Sequence, residues 1–281
     1  MTIIANILGT MSTISTPQRK FIMTLLTTMQ LLRGHMTFRN LSRYSDLHEK
    51  TYSRQFQKTF DFTTYNHRAL TTYLPSTTTK IAAMDATFGA KSGTHTYGLD
   101  HFYHSTHDRA ERGLEFSELA IVDVDYDTAY HLSMKQTPDA ATLTARLGSD
   151  KTRIDWYVSH LQADVAKLPP EVTHLAADGY YAKIKFVDGV CDCGLHLISK
   201  LRHDANLRHL FVGPHPKRRG AQTKYAGKVN VQDVSIFQPI SISSTVTLYT
   251  TIVNSVSLKR NIRLVIVWKR QGTKILTALL F

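Results

Sequence analysis

One pattern constrains this chain more than any other, and it occurs twice: a short apolar run that ends on an aspartate. Ile81, Ala82, Ala83 and Met84 lead into Asp85 and the run stops at Gly89, while Val172 to Ala177 lead into Asp178 with Gly179 directly after it. An unmatched carboxylate inside an apolar strand is strongly unfavourable, so each acid is expected at a strand tip, near solvent or near a cation. Two such tips in one chain ask for a fold that sets strand ends side by side.

The segments around these tips set the rest of the expected organisation. Residues 15 to 34 read as a helix opened by Ser15, Thr16 and Pro17, with Phe21, Ile22, Leu25, Leu26, Met29 and Leu32 at helical spacing and Gly34 closing it. A basic stretch follows in which arginines and lysines alternate with Phe38, Tyr44, Tyr52, Phe56, Phe60 and Tyr65, as in short helices sharing a small aromatic core. Pro75 and the run Ser76 to Thr79 mark a boundary. Strands are expected at Leu119 to Tyr126 and Ala129 to Met134, joined by a turn at Asp127 and Thr128. The strongest helical signal covers 149 to 168, with Ser149 and Asp150 as its cap, and Pro169 and Pro170 end it. After Asp178 a helix is expected over Tyr180 to Val187 and a buried strand over Leu195 to Leu201. Further on the pattern is that of strands: Val229 to Val234, Thr245 to Val253, Ile262 to Trp268 and Ile275 to Phe281, with a fainter one around Leu207 to Val212.

Charge and cysteine usage narrow the function classes. Lys+Arg of 34 against Asp+Glu of 22 gives a net charge of +12, which favours polyanionic partners. Between residue 179 and residue 281, sixteen Lys or Arg face four acids, Asp188, Asp192, Asp204 and Asp233. Cys191 and Cys193 are too close in sequence to bridge without strain and too few to build a four-ligand zinc site, so reduced thiols are expected. His95, His101, His104 and His107 are irregularly spaced among turn residues and read as polar loop and strand residues rather than as a metal centre. No apolar stretch is long enough for a membrane span, and no membrane partner is expected.

The blocks that carry a family signal are Arg33 to Ser45, Met84 to Gly93, Tyr97 to Tyr103, Glu111 to Glu115, Ala177 to Lys183 and Leu197 to Arg202. Taken together they resemble the DDE-type transposases of bacterial insertion sequences. That resemblance implies an α/β fold: an RNase H-like mixed sheet with an N-terminal helical domain and a β-rich insertion. It implies a helical DNA-binding domain over 1–75, a partial catalytic core over 76–202 and the insertion over 203–281. Asp85 and Asp178 become the first two catalytic, metal-binding acids, serving Mg²⁺ or Mn²⁺ with two ions in the complete site. The partners implied are transposon ends and target DNA, with room for a homodimer on DNA, in a cytoplasmic, nucleoid-associated protein. Arg33, Arg39, Arg43, Lys183, Lys200, Arg202 and the turn Lys217, Arg218, Arg219 are the expected DNA contacts.

The resemblance breaks at the third acid, a glutamate on a late helix. No glutamate follows Glu171, and the sequence ends within the apolar run Leu279, Leu280, Phe281, which reads as a truncation. The leading expectation is therefore a transposase-like protein that binds DNA but is incomplete for strand cleavage. The alternatives are a non-catalytic DNA-binding regulator of transposon ends and a metal nuclease with a substitute third carboxylate.

Overall fold

A computed structural model describes residues 2–214, 220–241, 245–271 and 274–281. The chain divides into two compact units, Met1–Thr77 and Thr78–Phe281. The first is helical: α1 (Thr2–Thr10), α2 (Thr16–Leu31), α3 (Phe38–Leu41), α4 (Glu49–Phe56) and α5 (Phe62–Tyr73). Ser15 caps α2 by accepting from the Gln18 amide, as its sequence predicts. Phe21, Ile22 and Leu25 on α2 meet Leu8 of α1, Met11 just after it, Leu41 of α3 and Tyr52 of α4 in one core. The aromatics divide differently from the expected small core. Tyr52 is fully buried with its ring edge-on to Phe21, whereas Phe38, Tyr44 and Phe56 are exposed. Helices of four and eight residues offer too little inward face to cover them all.

The second unit is a mixed sheet with helices between its strands. Its elements are β1 (Lys80–Ala90), β2 (Asp100–His104), β3 (Arg109–Asp123), β4 (Thr128–Gln136), α6 (Ala140–Leu147), α7 (Arg153–Asp164), β5 (His174–Ala177), α8 (Ile184–Asp192) and β6 (His196–Leu201). Then come β7 (Leu207–Leu210), β8 (Tyr225–Lys228), β9 (Gln238–Ser241), β10 (Val246–Ser255), β11 (Arg260–Gln271) and β12 (Lys274–Leu280). The strand order is β2-β3-β1-β5-β6-β12-β11-β10-β7-β8, with β4 also on β3 and β9 on β10. β1 pairs antiparallel with β3 and parallel with β5, and β5 pairs parallel with β6. Strand order and sense are those expected of an RNase H-like core, followed by an added antiparallel sheet in which β12 lies against β6.

Several boundaries move, each for a physical reason. β3 begins ten residues before the expected Leu119, because two polar residues, Glu115 and Ser117, occupy its buried face and hide the alternation. Both are satisfied by α7: the Tyr157 hydroxyl donates to Glu115 Oε1 at 2.5 Å, and Ser117 Oγ lies 2.9 Å from His160 Nδ1. α7 is capped by Thr152, not by Ser149 and Asp150. Thr152 and Asp155 form a reciprocal capping box, with Asp155 Oδ2 accepting from the Thr152 amide at 2.8 Å. The helix expected from Tyr180 starts at Ile184, since Asp178 holds a 3-10 turn over Gly179–Tyr181 first. Val229 to Val234 is not a strand; pairing falls on Tyr225–Lys228, and Val234–Ile236 is a 3-10 turn.

The fully buried His160 is the bolt between α7 and the sheet. Its Nδ1 meets Ser117 on β3, and its Nε2 meets Ser133 on β4 at 2.8 Å. One turn on, Asp164 lies 3.5 Å from His160 Nε2, 3.8 Å from Lys135 Nζ and 3.7 Å from Lys167 Nζ. Burial opposes ionisation of Asp164, yet the imidazole, the Ser133 hydroxyl and the two ammonium groups outweigh it and hold the carboxyl at about 2 against an ordinary 3.8. A depressed folded pKa stabilises above the unfolded value and is lost as pH falls through the folded one. Asp164→Asn is therefore expected to destabilise by roughly 1–3 kcal/mol near neutral pH. The gap between wild type and variant should close as pH falls from about 4 to about 2, read by urea unfolding at each pH.

A second prediction concerns the β1–β3 seam. A Cβ on Gly113 would stand 2.6 Å from the Gly89 carbonyl oxygen and would overlap the Phe88 ring, whereas one on Gly89 meets nothing nearer than 3.8 Å. Gly113→Ala should cost about 1–3 kcal/mol in a denaturant titration, and Gly89→Ala much less. Equal losses would show that the seam gives freely.

Candidate active site

The parallel register of β1 and β5 builds the site. Ala82, Ala83 and Met84 pair with Leu175, Ala176 and Ala177, so Asp85 and Asp178 take the next position on neighbouring strands, where β5 ends. Ala82 and Met84 are buried and anchor the strand, while Asp85 is exposed at the rim. Asp85 Oδ1 accepts from the Ala86 amide at 2.8 Å. Asp178 Oδ1 accepts from the Tyr180 amide at 2.9 Å, and its carbonyl oxygen accepts from Ser199 Oγ on β6 at 2.7 Å. Both ends of the Asp178 residue are thereby fixed.

The two acids line one cavity of about 610 Å³, with Phe88, Glu115, Tyr157 and Tyr181 among its walls. Partial burial first, then the charges of Asp178 and Glu118, push the Asp85 carboxyl above its ordinary value, against the pull of the Ala86 amide. Glu118 stands opposite Asp85 in the β1–β3 register and is held by His131 Nδ1 at 2.7 Å. Oxygen donors of this kind suit a hard divalent cation. Tyr181 in the wall is 1% exposed, and among the described residues its hydroxyl has no hydrogen-bond partner. A buried phenol left unpaired is unfavourable. The residues present fit a divalent cation with its oxygen ligands.

The expected DNA contacts fall in several places. Arg33, Arg39 and Arg43 are exposed around α3, and among the described residues none has an acidic partner. Lys183 stands at the N-cap of α8, 3.6 Å over the Tyr180 ring, and its pKa is lowered by burial against the opposing attraction of Asp178. Lys200 is exposed on β6. Arg202 is exposed but already gripped, with Nε 3.0 Å and a terminal nitrogen 3.2 Å from the two Asp204 oxygens. Lys217, Arg218 and Arg219 lie outside the described residues.

Among the histidines, His104 and His107 turn Nδ1 toward the two Glu111 oxygens at 2.9 Å each, and Arg109 Nε reaches Glu111 Oε1 at 2.7 Å. Bonds from His104, Arg109 and His107, in that order, hold the Glu111 carboxyl down to about 2. The three ligand-type groups are close enough for a metal, but Arg109 already supplies the positive charge there. Sequence reasoning missed Glu115, Tyr157 and Tyr181 as parts of the site. The signal for Glu115 was a polar residue two before Ser117 and four before Leu119, on one strand face.

Comparison with known proteins gives the family. Residues 15–239, well over half of the chain, match the family model described as DDE superfamily endonuclease. No curated protein matches. Among solved structures the chain is similar to a piggyBac transposase in a synaptic complex with hairpin DNA, at 10% identity and a TM-score of 0.42. That match covers 99% of this chain and 56% of the other, so the chain spans little more than half of that protein's length. Endonucleases of this superfamily generally use divalent metal ions, in keeping with paired carboxylates at one cavity. By the extent of the family match, this chain belongs to the DDE superfamily of endonucleases.

Proposed function

We propose that the chain acts in DNA transposition on transposon ends as a metal-dependent endonuclease, the alternative with a substitute third carboxylate being preferred to the expectation of an enzyme incomplete for strand cleavage, with Asp85 and Asp178 as the ligands of Mg²⁺ or Mn²⁺. The observation that carries this reading is the shared cavity at the tips of β1 and β5, where both acids converge with no basic side chain paired to either among the described residues. When bound, divalent cations neutralise the phosphate and lower the pKa of attacking water. The chain's part is to hold the acids by backbone amides, Ala86 for Asp85 and Tyr180 for Asp178, so that the oxygens facing the cavity need not reorganise. Hydrolysis would break the phosphorus to 3′-oxygen bond at the element's end, with water adding to phosphorus and the 3′-oxygen leaving as a hydroxyl. That hydroxyl would then attack target DNA. Arg33, Arg39, Arg43, Lys183 and Lys200 are the described cations offered to the DNA backbone. A homodimer on DNA and a nucleoid location go with this reading; what the structure itself has is no helix, among the described residues, long and apolar enough to cross a membrane.

Nicking of supercoiled plasmid carrying the element's ends, in Mn²⁺, tests it. Asp85→Ala and Asp178→Ala should each lower the rate by about a hundredfold or more while leaving binding of the same DNA intact, since loss of a metal ligand removes several kcal/mol of transition-state stabilisation. Wild-type nicking rates in both variants would end this reading. Wild-type protein that binds the ends tightly and never nicks would favour the non-catalytic regulator.

Two further outcomes are expected. Replacing Arg33, Arg39 and Arg43 together by Gln should flatten the slope of log affinity against log salt by about one unit for each phosphate that is no longer neutralised. An unchanged slope would remove this segment from the interface. In metal-free protein at neutral pH, Asp85→Asn should raise the unfolding temperature. A carboxyl with a raised folded pKa stabilises least above that pKa, so the advantage should shrink as pH falls through the raised folded value toward the ordinary 3.8 and be gone below it. Saturating Mn²⁺ should reverse it, stabilising wild type alone.

A further inference from the structure

Among the described residues, Arg153 is the one lysine or arginine in the wall of the cavity that holds Asp85 and Asp178. His104 is in the same wall, but its Nδ1 is taken up by Glu111 Oε2 at 2.9 Å. Arg153 is the first residue of α7, and its guanidinium is fixed along one edge and one face. Nη2 donates to Asp100 Oδ2 at 3.3 Å and to the His101 carbonyl oxygen at 3.1 Å, and the group lies 4.3 Å over the Phe102 ring. Asp100 is itself anchored, its Oδ1 accepting from the His101 amide at 2.8 Å and its Oδ2 from the Ala140 amide at 3.1 Å. These bonds use both hydrogens of Nη2. Nη1 and Nε keep N–H donors that no described residue accepts.

The charge of Arg153 is felt inside the cavity. Burial first, then Glu115, push the Tyr180 phenol above its ordinary value, while Arg153 pulls it back and Asp178 adds to the rise. A cavity lined by carboxylates repels a phosphodiester, and a fixed cation in the same wall offsets that repulsion. A guanidinium already held in place gives up little side-chain freedom on binding, and it has donors to spare once one nitrogen is committed. A lysine here would spend its single ammonium on Asp100 and the His101 carbonyl. We propose that Arg153 is a phosphate-binding residue of this site, its remaining N–H groups donating to a non-bridging oxygen of the phosphodiester at or next to the bond that is cut. This rests on the reading of the cavity as the endonuclease site. It differs from the contacts assigned to Arg33, Arg39, Arg43 and Lys200 in being made to one phosphate at the reacting position.

Binding of the full chain to duplex oligonucleotides of the element's end, each with one phosphate replaced by an uncharged methylphosphonate, tests it, with Ca²⁺ as the non-catalytic ion. Arg153→Gln should bind the unmodified duplex about tenfold more weakly than wild type, and at one phosphate at or next to the cut wild type should lose about tenfold on neutralisation. Arg153→Gln should lose less than about twofold at that same phosphate, so that the two changes are not additive. A purely structural tie between α7 and β2 would weaken charged and neutral duplexes alike. Equal losses in wild type and Arg153→Gln at every phosphate would therefore overturn the inference, and the proposed function would still stand if Asp85→Ala and Asp178→Ala abolish nicking. Wild-type nicking in both of those variants would instead overturn the reading on which the inference rests. If circular dichroism shows Arg153→Gln unfolded, Arg153→Lys decides: a loss of less than about threefold at that phosphate supports the inference, and the wild type's tenfold loss overturns it.

Discussion

The parallel pairing of β1 with β5 is the constraint on which the rest of this structure depends. Three register positions, Ala82 to Met84 against Leu175 to Ala177, are enough to place two carboxylates side by side at the next step. Parallel strands require a crossover, and here it runs through β2, β3, β4 and two helices. One of those helices, α7, returns to supply Tyr157 to the same cavity. The segment that makes the parallel pairing possible therefore also builds one wall of the site. The short side chains of Ala82, Ala83, Ala176 and Ala177 suit this arrangement, because strand tips carrying repelling acids are held by backbone pairing rather than by bulky neighbours.

The two aspartates were legible because each breaks an apolar run, and charge interrupting hydrophobicity is the signal that single-sequence reasoning reads best. The strands that carry the two aspartates were legible for a related reason: each holds a short apolar run, with Ala82 and Met84 buried on β1 and Leu175 buried on β5. β3 was half legible. Its C-terminal part carries Leu119 and Ile121 inward, but its N-terminal part carries Glu115 and Ser117 inward, and a buried polar face cannot be told from an exposed one without its partners. Those partners, Tyr157 and His160, lie more than forty residues away. β2 was missed similarly, since Phe102 is its one buried residue among Asp100, His101, Tyr103 and His104.

The added sheet shows the same limit from the other side. β10 and β11 are long and apolar enough to be found from sequence, and their ten-pair antiparallel register runs Val246 to Ser255 against Lys269 to Arg260. β8 and β9 have four residues each, and the burial pattern of β8 leaves one half-buried residue and three exposed. Edge strands of that kind are specified by pairing partners more than by their own side chains.

Stability and site geometry meet in one helix face. Tyr157, His160 and Asp164 recur on α7 at spacings of three and four, and they read Glu115 and Ser117, which recur on β3 at a spacing of two. Substituting apolar residues for this whole face would be close to neutral for stability, as with other buried polar networks, provided both sides changed together. Shape alone therefore does not account for the face. What an apolar face would lose is the fixed orientation of the Glu115 carboxylate at the cavity and, through His160, the placement of α7 over β3 and β4. A polar network at this position ties the packing of α7 to the arrangement of oxygens beside Asp85 and Asp178. On that argument, residues such as His160 influence the site without lining it, by holding the helix that carries Tyr157.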